Sequence, residues 1–166
     1  MKGQKGFSLI ELLIVVAIIL IIAAIAIPNL MRSRMAANEA SAAGSLRTIT
    51  TAQVAYSTTY GTGYAPLPNL GGATPCAAAA ATACLIDPFL TAGAKSGYTI
   101  GTTVPAALGT TAAPNVTYEA SARPIAPGQS GQRTFCTDQS GVIRGNPAGG
   151  APPAACAGAA AFIPLS

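Results

Sequence analysis

The chain has five carboxylates, four cysteines and no histidine with which to do chemistry. Glu11, Glu39, Asp87, Glu119 and Asp138 are too widely spaced to read as an acid–base pair. Without histidine, none of the scattered serines and threonines has a general base beside it in the sequence. The glycines lack the Lys-Ser/Thr that a phosphate-binding loop needs. The chain is therefore expected to be no enzyme and to hold no cofactor. Cys76, Cys84, Cys136 and Cys156 leave gaps of 7 and 19 residues, which match no zinc spacing, so no metal is expected. Asp138 with Asn146 could offer oxygen to calcium, but two ligands fall short of six to eight. In an exported domain four cysteines read as two disulfides, for which three connectivities exist. The sequence-local pairing, Cys76–Cys84 and Cys136–Cys156, is the expected one. Each closure would contribute roughly 2–4 kcal/mol.

One carboxylate is out of place. Glu11 sits in an apolar run that continues without a polar side chain from Leu12 to Ile27. A charge inside a membrane-spanning helix costs about 2.5–3.5 kcal/mol on insertion scales. A cleaved signal peptide, with a small-x-small site at Ala24-Ile25-Ala26, would have no reason to carry that cost. The run is also longer than such a peptide needs, and Ile27-Pro28 is a poor processing site. We read it as retained and long enough for one membrane span. Lys2 and Lys5 place the N-terminus in the cytoplasm and the remainder outside, mildly opposed by Arg32 and Arg34 beyond the run.

Gly6-Phe7-Ser8-Leu9-Ile10-Glu11-Leu12-Leu13, behind a short basic leader and ahead of an apolar run and Pro28, resembles the N-terminal methylation motif of type IV prepilins and type II secretion pseudopilins. The resemblance covers residues 2 to about 34. It implies a leader of residues 1–6, removed by a prepilin peptidase between Gly6 and Phe7. It also implies N-methylation of the new Phe7 amine and a role for Glu11 in subunit docking. The physics agrees with that role. The freed amine and Glu11 lie one helical turn apart, where an unpaired charge is expensive. Pairing within a subunit, or with a neighbour's Phe7, would also set the axial offset between helices.

The rest of the chain supports this organisation. Residues 7–28 form the apolar half of a stem helix and residues 29–60 its outer half, with Pro28 kinking or loosening it. Leu46, Ile49, Gln53, Tyr56 and Tyr60 recur at spacings of 3 and 4, the face expected to pack on a head. From 29 to about 44 the stem is small-residue-rich and is expected to be exposed. Gly61 and Gly63 end the helix. Residues 61–166 break into short pieces. Tyr64–Gly72 reads as a loop laid along the stem, and the alanine-rich stretch between Cys76 and Cys84 as one or two helical turns. Strands are expected at 97–101, 116–120, 133–137 and 142–144, with a hairpin turn at Asp138–Gly141. They predict an antiparallel meander of three or four strands. Phe162-Ile163-Pro164-Leu165 reads as an apolar anchor. The fold class is α+β, and the phrase from Phe135 to Arg144 is similar to the last hairpin of short pilins. Many of the apolar residues are alanines, which bury little area, so a thin core must lean on the disulfides.

A net charge of +4 drops to +2 without Lys2 and Lys5, which is no nucleic-acid footprint. Asn115-Val116-Thr117 is a formal glycosylation sequon. Phe7, Tyr56, Tyr60 and Tyr64 read as packing residues rather than a charge-transfer path. Three functions fit the sequence. The favoured one is the structural subunit of a pilus-like filament. The others are a secretion pseudopilin and an exported binding domain that never polymerises. The first two imply, as partners, copies of the chain, the peptidase and methyltransferase, an assembly platform with its ATPase, and membrane lipid before assembly. They place the chain in a bacterial inner membrane before assembly. Afterwards it would lie in an extracellular pilus or a periplasmic pseudopilus.

Overall fold

The computed structural model describes residues 7–105, 109–153 and 155–165. They divide into two compact units between Arg34 and Met35. A single helix, α1 (Leu9–Tyr60), contributes to both and contains Pro28. It stays helical through the proline, which removes the bond its own N–H would have made and crowds the carbonyl of Ala24. Its far end is closed by Gly61 and Gly63, both at positive φ, a region costly for any side chain.

In the second unit α1 packs against an antiparallel sheet. The strands are β1 (Ala94–Lys95), β2 (Tyr98–Thr103), β3 (Glu119–Pro124), β4 (Thr134–Asp138), β5 (Arg144–Asn146) and β6 (Ile163–Pro164). They pair in chain order, so the sheet is a pure meander. One face meets α1. Leu46, Ile49, Ala52 and Tyr56 pack into a core with Tyr98, Ile100, Ala120, Ala122 and Phe135. The other face lies under the C-terminal segment, where Cys136, Cys156 and Phe162 form a small second core. β4 is covered on both sides and is buried at all five positions. Phe162 is thus the apolar anchor that was expected, while Ile163 stays exposed.

Several sequence expectations shift. The sheet has six strands, because β1 and β6 are two-residue edges too short to show alternation. The strand expected at 116–120 begins at Glu119 instead. Asn115 is drawn to the end of α1, its N–H on the Thr62 carbonyl and its carbonyl taking the Tyr64 N–H. That contact leaves Val116 exposed, and the ladder forms from Glu119 to Pro124. β5 likewise starts two residues later than expected, after a turn in which Asp138 accepts the Ser140 N–H. The loop after Tyr64 contains one helical turn, α2 (Leu67–Leu70), whose two leucines enter the core. A second turn, α3 (Pro88–Thr91), is capped by Asp87, which accepts the Leu90 N–H at 2.8 Å.

The stretch between Cys76 and Cys84 is not helical. Ala79 and Thr82 exchange backbone hydrogen bonds across a tight turn, in place of the bonds to the fourth residue back that a helix makes. Both disulfides take the local pairing, Cys76–Cys84 and Cys136–Cys156.

Candidate functional site

The N-terminal helix carries the chemistry the sequence singled out. Ser8 precedes its first residue, and the Ser8 N–H donates to Glu11 Oε2 at 2.9 Å. That is one half of a capping box, S-x-x-E, in which the acid satisfies an orphan donor at the helix start. The positive end of the helix dipole favours a carboxylate there as well. Glu11 therefore has a partner inside a single chain through Oε2, and among the described residues its Oε1 has none. Phe7 is 89% exposed. Gly6, Lys2 and Lys5, the other residues of the expected cleavage site and leader, lie outside the described residues.

From Phe7 to Met31 every side chain but Ala23 is exposed. Leu9, Leu12, Leu20, Ile21 and Ile25 present hydrocarbon around the whole circumference rather than along one stripe. A helix apolar all round is stable only in lipid or among other apolar helices. It is the one helix among the described residues long and apolar enough to cross a membrane.

The outer half of α1 is anchored in the head by a second acid that sequence reasoning passed over. Glu39 Oε1 accepts the N–H groups of Gln132 and Arg133, and its Oε2 takes Arg133 Nε at 2.7 Å. Burial pushes the Glu39 carboxyl up. The Gln132 amide and the Arg133 guanidinium and amide outweigh it and hold the group below its usual value. Asn38 adds a bond to the Ser130 carbonyl, and Tyr98, its hydroxyl pushed up to about 12 by burial and by the Glu39 charge, donates to the Arg133 carbonyl. Packing therefore starts near Asn38, not near Gly44, and Ala42 and Ala43 are buried. A signal was present: Glu39 and Ala42 extend the Leu46–Ile49–Gln53–Tyr56 face backward at the same spacing.

Gln53 is fully buried and replaces a strand neighbour. Its amide nitrogen donates to the Ala65 carbonyl at 2.6 Å and its oxygen accepts the Ala65 N–H at 2.9 Å. Tyr56 donates to the Ala80 carbonyl, tying down the first disulfide loop. Tyr56 meets Tyr60 with the rings tilted by 45°, and Tyr64 meets Tyr118 edge-on, as packing residues do. Asn115, the sequon residue, is buried and donates to the Tyr64 carbonyl, which leaves no room for a glycan. Glu119, Asp138 and Cys156 lie close together, but the Cys156 sulfur is in a disulfide. Asp138 is engaged by Arg144 and Glu119 by the Cys156 N–H.

Structure and sequence together define a class: an α+β protein in which a long apolar-headed helix packs on a disulfide-braced antiparallel sheet, consistent with a pilin fold. Residues 1–27 match the family described as the prokaryotic N-terminal methylation motif, so the chain carries a prepilin-type N-terminus. The chain is similar to the type IV wide pilus major component PilA4 of Thermus thermophilus, 62% identical over 39 residues. That segment is 24% of this chain and 30% of the relative. It is also similar to the type IV major pilin protein PilA of Myxococcus xanthus, 48% identical over 53 residues, 32% of this chain and 24% of the relative. A fimbrial protein of Pseudomonas aeruginosa is 79% identical over 29 residues, 18% of this chain and 19% of that one. The chain thus matches less than a third of the length of each relative. No solved structure matches it.

Proposed function

We propose that this chain is a structural subunit of a type IV pilus-like filament. The observation that carries the reading is the exposed apolar helix from Phe7 to Met31, headed by Glu11 and matched by the methylation motif. Such a surface needs a cover, and two are available in turn. Before assembly it is lipid, with the chain held in the inner membrane as a single span. After assembly it is the same helix from neighbouring copies, with the heads facing outward in an extracellular pilus. A prepilin peptidase cuts between Gly6 and Phe7, and the Phe7 amine is methylated. Assembly is driven by a separate platform and ATPase, and the role of this chain is structural rather than catalytic. The relatives it resembles are pilus and fimbrial proteins, which favours a pilus over a secretion pseudopilus.

Intact-mass analysis of purified filaments tests the reading. The expected species begins at Phe7 and carries one methyl group. A chain beginning at Ile27 or retaining Met1, or the absence of filaments on imaging, would sink it.

A further inference from the structure

Glu11 and Arg32 are the first charged side chains on either side of the uncharged stretch from Leu12 to Met31. Because α1 is helical throughout, Pro28 included, the 21 residue steps from Glu11 to Arg32 measure a helical distance. At 1.5 Å per residue that is about 31 Å. The hydrocarbon core of a bilayer is about 30 Å thick. A helix with Glu11 at one headgroup boundary therefore delivers Arg32 to the other, and Arg34 about 3 Å beyond it.

Both arginines are exposed, and neither has a hydrogen bond or ion pair among the described residues. The next acid along the helix, Glu39, is already held by Arg133 and two backbone N–H groups. Arg32 and Arg34 point to nearly opposite sides of the helix, since each residue turns it by about 100°. They cannot form one clamp, but they can form a collar. Loss of the leader also removes Lys2 and Lys5, so the basic side chains that remain beside the span are these two.

We propose that Arg32 and Arg34 form a collar that binds the phosphates of anionic phospholipids at the outer headgroup layer while the subunit waits in the membrane. Guanidinium meets phosphate through paired hydrogen bonds, and the long arginine stem reaches along the hydrocarbon edge. The collar fixes the depth of the span. It holds Glu11 at the inner headgroup boundary and so spares it the cost of entering hydrocarbon. The proposal rests on the reading of α1 as a membrane span.

The test uses the full chain in vesicles of phosphatidylcholine with phosphatidylglycerol as the minor lipid. Native mass spectrometry reads which lipid is retained on release, and amide exchange reads protection of residues 12–31. The wild-type chain is expected to retain phosphatidylglycerol preferentially. Arg32→Gln with Arg34→Gln should lose that preference, by about five-fold per guanidinium. Arg47→Gln with Arg123→Gln, which removes two equally unpaired arginines farther from the span, should keep it. Equal preference in both double variants overturns the collar. So does displacement of the lipid by inorganic phosphate, which would indicate an unselective anion contact. Residues 12–31 left unprotected would overturn the membrane span, and the collar with it.

Discussion

Glu11 and Glu39 sit on the same helix and do different work. Glu11 caps its own helix with one oxygen, and among the described residues the other has no partner. A neighbour's Phe7 amine could take that second oxygen without disturbing the cap. This separates two substitutions. Glu11→Gln keeps an oxygen for the Ser8 N–H but loses the charge. It should leave membrane insertion and helix content unchanged while abolishing or misregistering filaments on imaging. Glu11→Ala loses the cap as well, and should also fray the first turn, at about 1 kcal/mol, seen as faster amide exchange at the helix start. Normal filaments from the Gln variant would remove the docking role.

Glu39 is a stability residue. Its carboxyl is held below the usual value in the folded head. A depressed carboxyl contributes stability that is complete above the unfolded value, about 4.3. That contribution is lost as pH falls through the folded value. Glu39→Gln should cost about 1–2 kcal/mol at neutral pH, allowing for the half-exposed Arg133. It should also flatten the acid limb of a denaturation profile. Glu119 has the opposite sign. Burial, with the charge of Asp138, raises its carboxyl against the pull of the Cys156 N–H. Its ionisation at neutral pH therefore works against the fold. Glu119→Gln, which can still accept that N–H, should raise Tm slightly at pH 7, and the gain should vanish in acid.

At the scale of elements, legibility in the sequence followed the periodic signal. The helix, its packing face and its glycine stop could all be read from 3.6-residue spacing and turn chemistry. β2 could be read from alternation, and β4, buried on both faces, from its strand-forming residues and the turn that follows at Asp138–Gly141. β3 could not, because Ser121-Ala122-Arg123-Pro124 has little strand propensity and is held by its ladder to β2. The alanine-rich loop failed for a related reason: propensity favours helix there, but its backbone is taken up by the Ala79–Thr82 turn and by bonds from Ala83 and Cys84 to Asn69 and Gly71. Glu39 was missed because an acid is not expected on a buried face, although its spacing continued that face. Gln53 was read as part of the face, but its reciprocal bonds to Ala65 depend on where a later loop lies. Gln53→Ala should cost about 2–4 kcal/mol in chemical denaturation, since it strands a buried N–H and a buried carbonyl.

Over the whole molecule, the balance of charge is lopsided. Each of the five acids accepts a hydrogen bond within the chain, through Ser8, Glu39's Arg133 contacts, Lys95, the Cys156 N–H or Arg144. Among the described residues Arg32, Arg34, Arg47 and Arg123 are left without partners. Three of the five acids are already in ion pairs within the chain, so copies of the head have little carboxylate to offer one another's arginines. Filaments should be held by apolar helix packing and by Glu11, in a core that salt does not reach. Their sedimentation should change little from low to high salt. Dissolution by salt alone would point to head-to-head ion pairs instead.

The meander order of the sheet has a consequence for biogenesis. Every strand pairs with the one made just before it, and both disulfides close short local loops. A head threaded through a translocation channel N-terminus first meets each partner as it emerges. No strand edge has to wait for a distant segment, and no early cysteine is left open to a wrong thiol. Chain-order topology of this kind shortens the time that sticky edges spend exposed. It suits a subunit that assembles with copies of itself, for which another unfinished head is the nearest wrong partner.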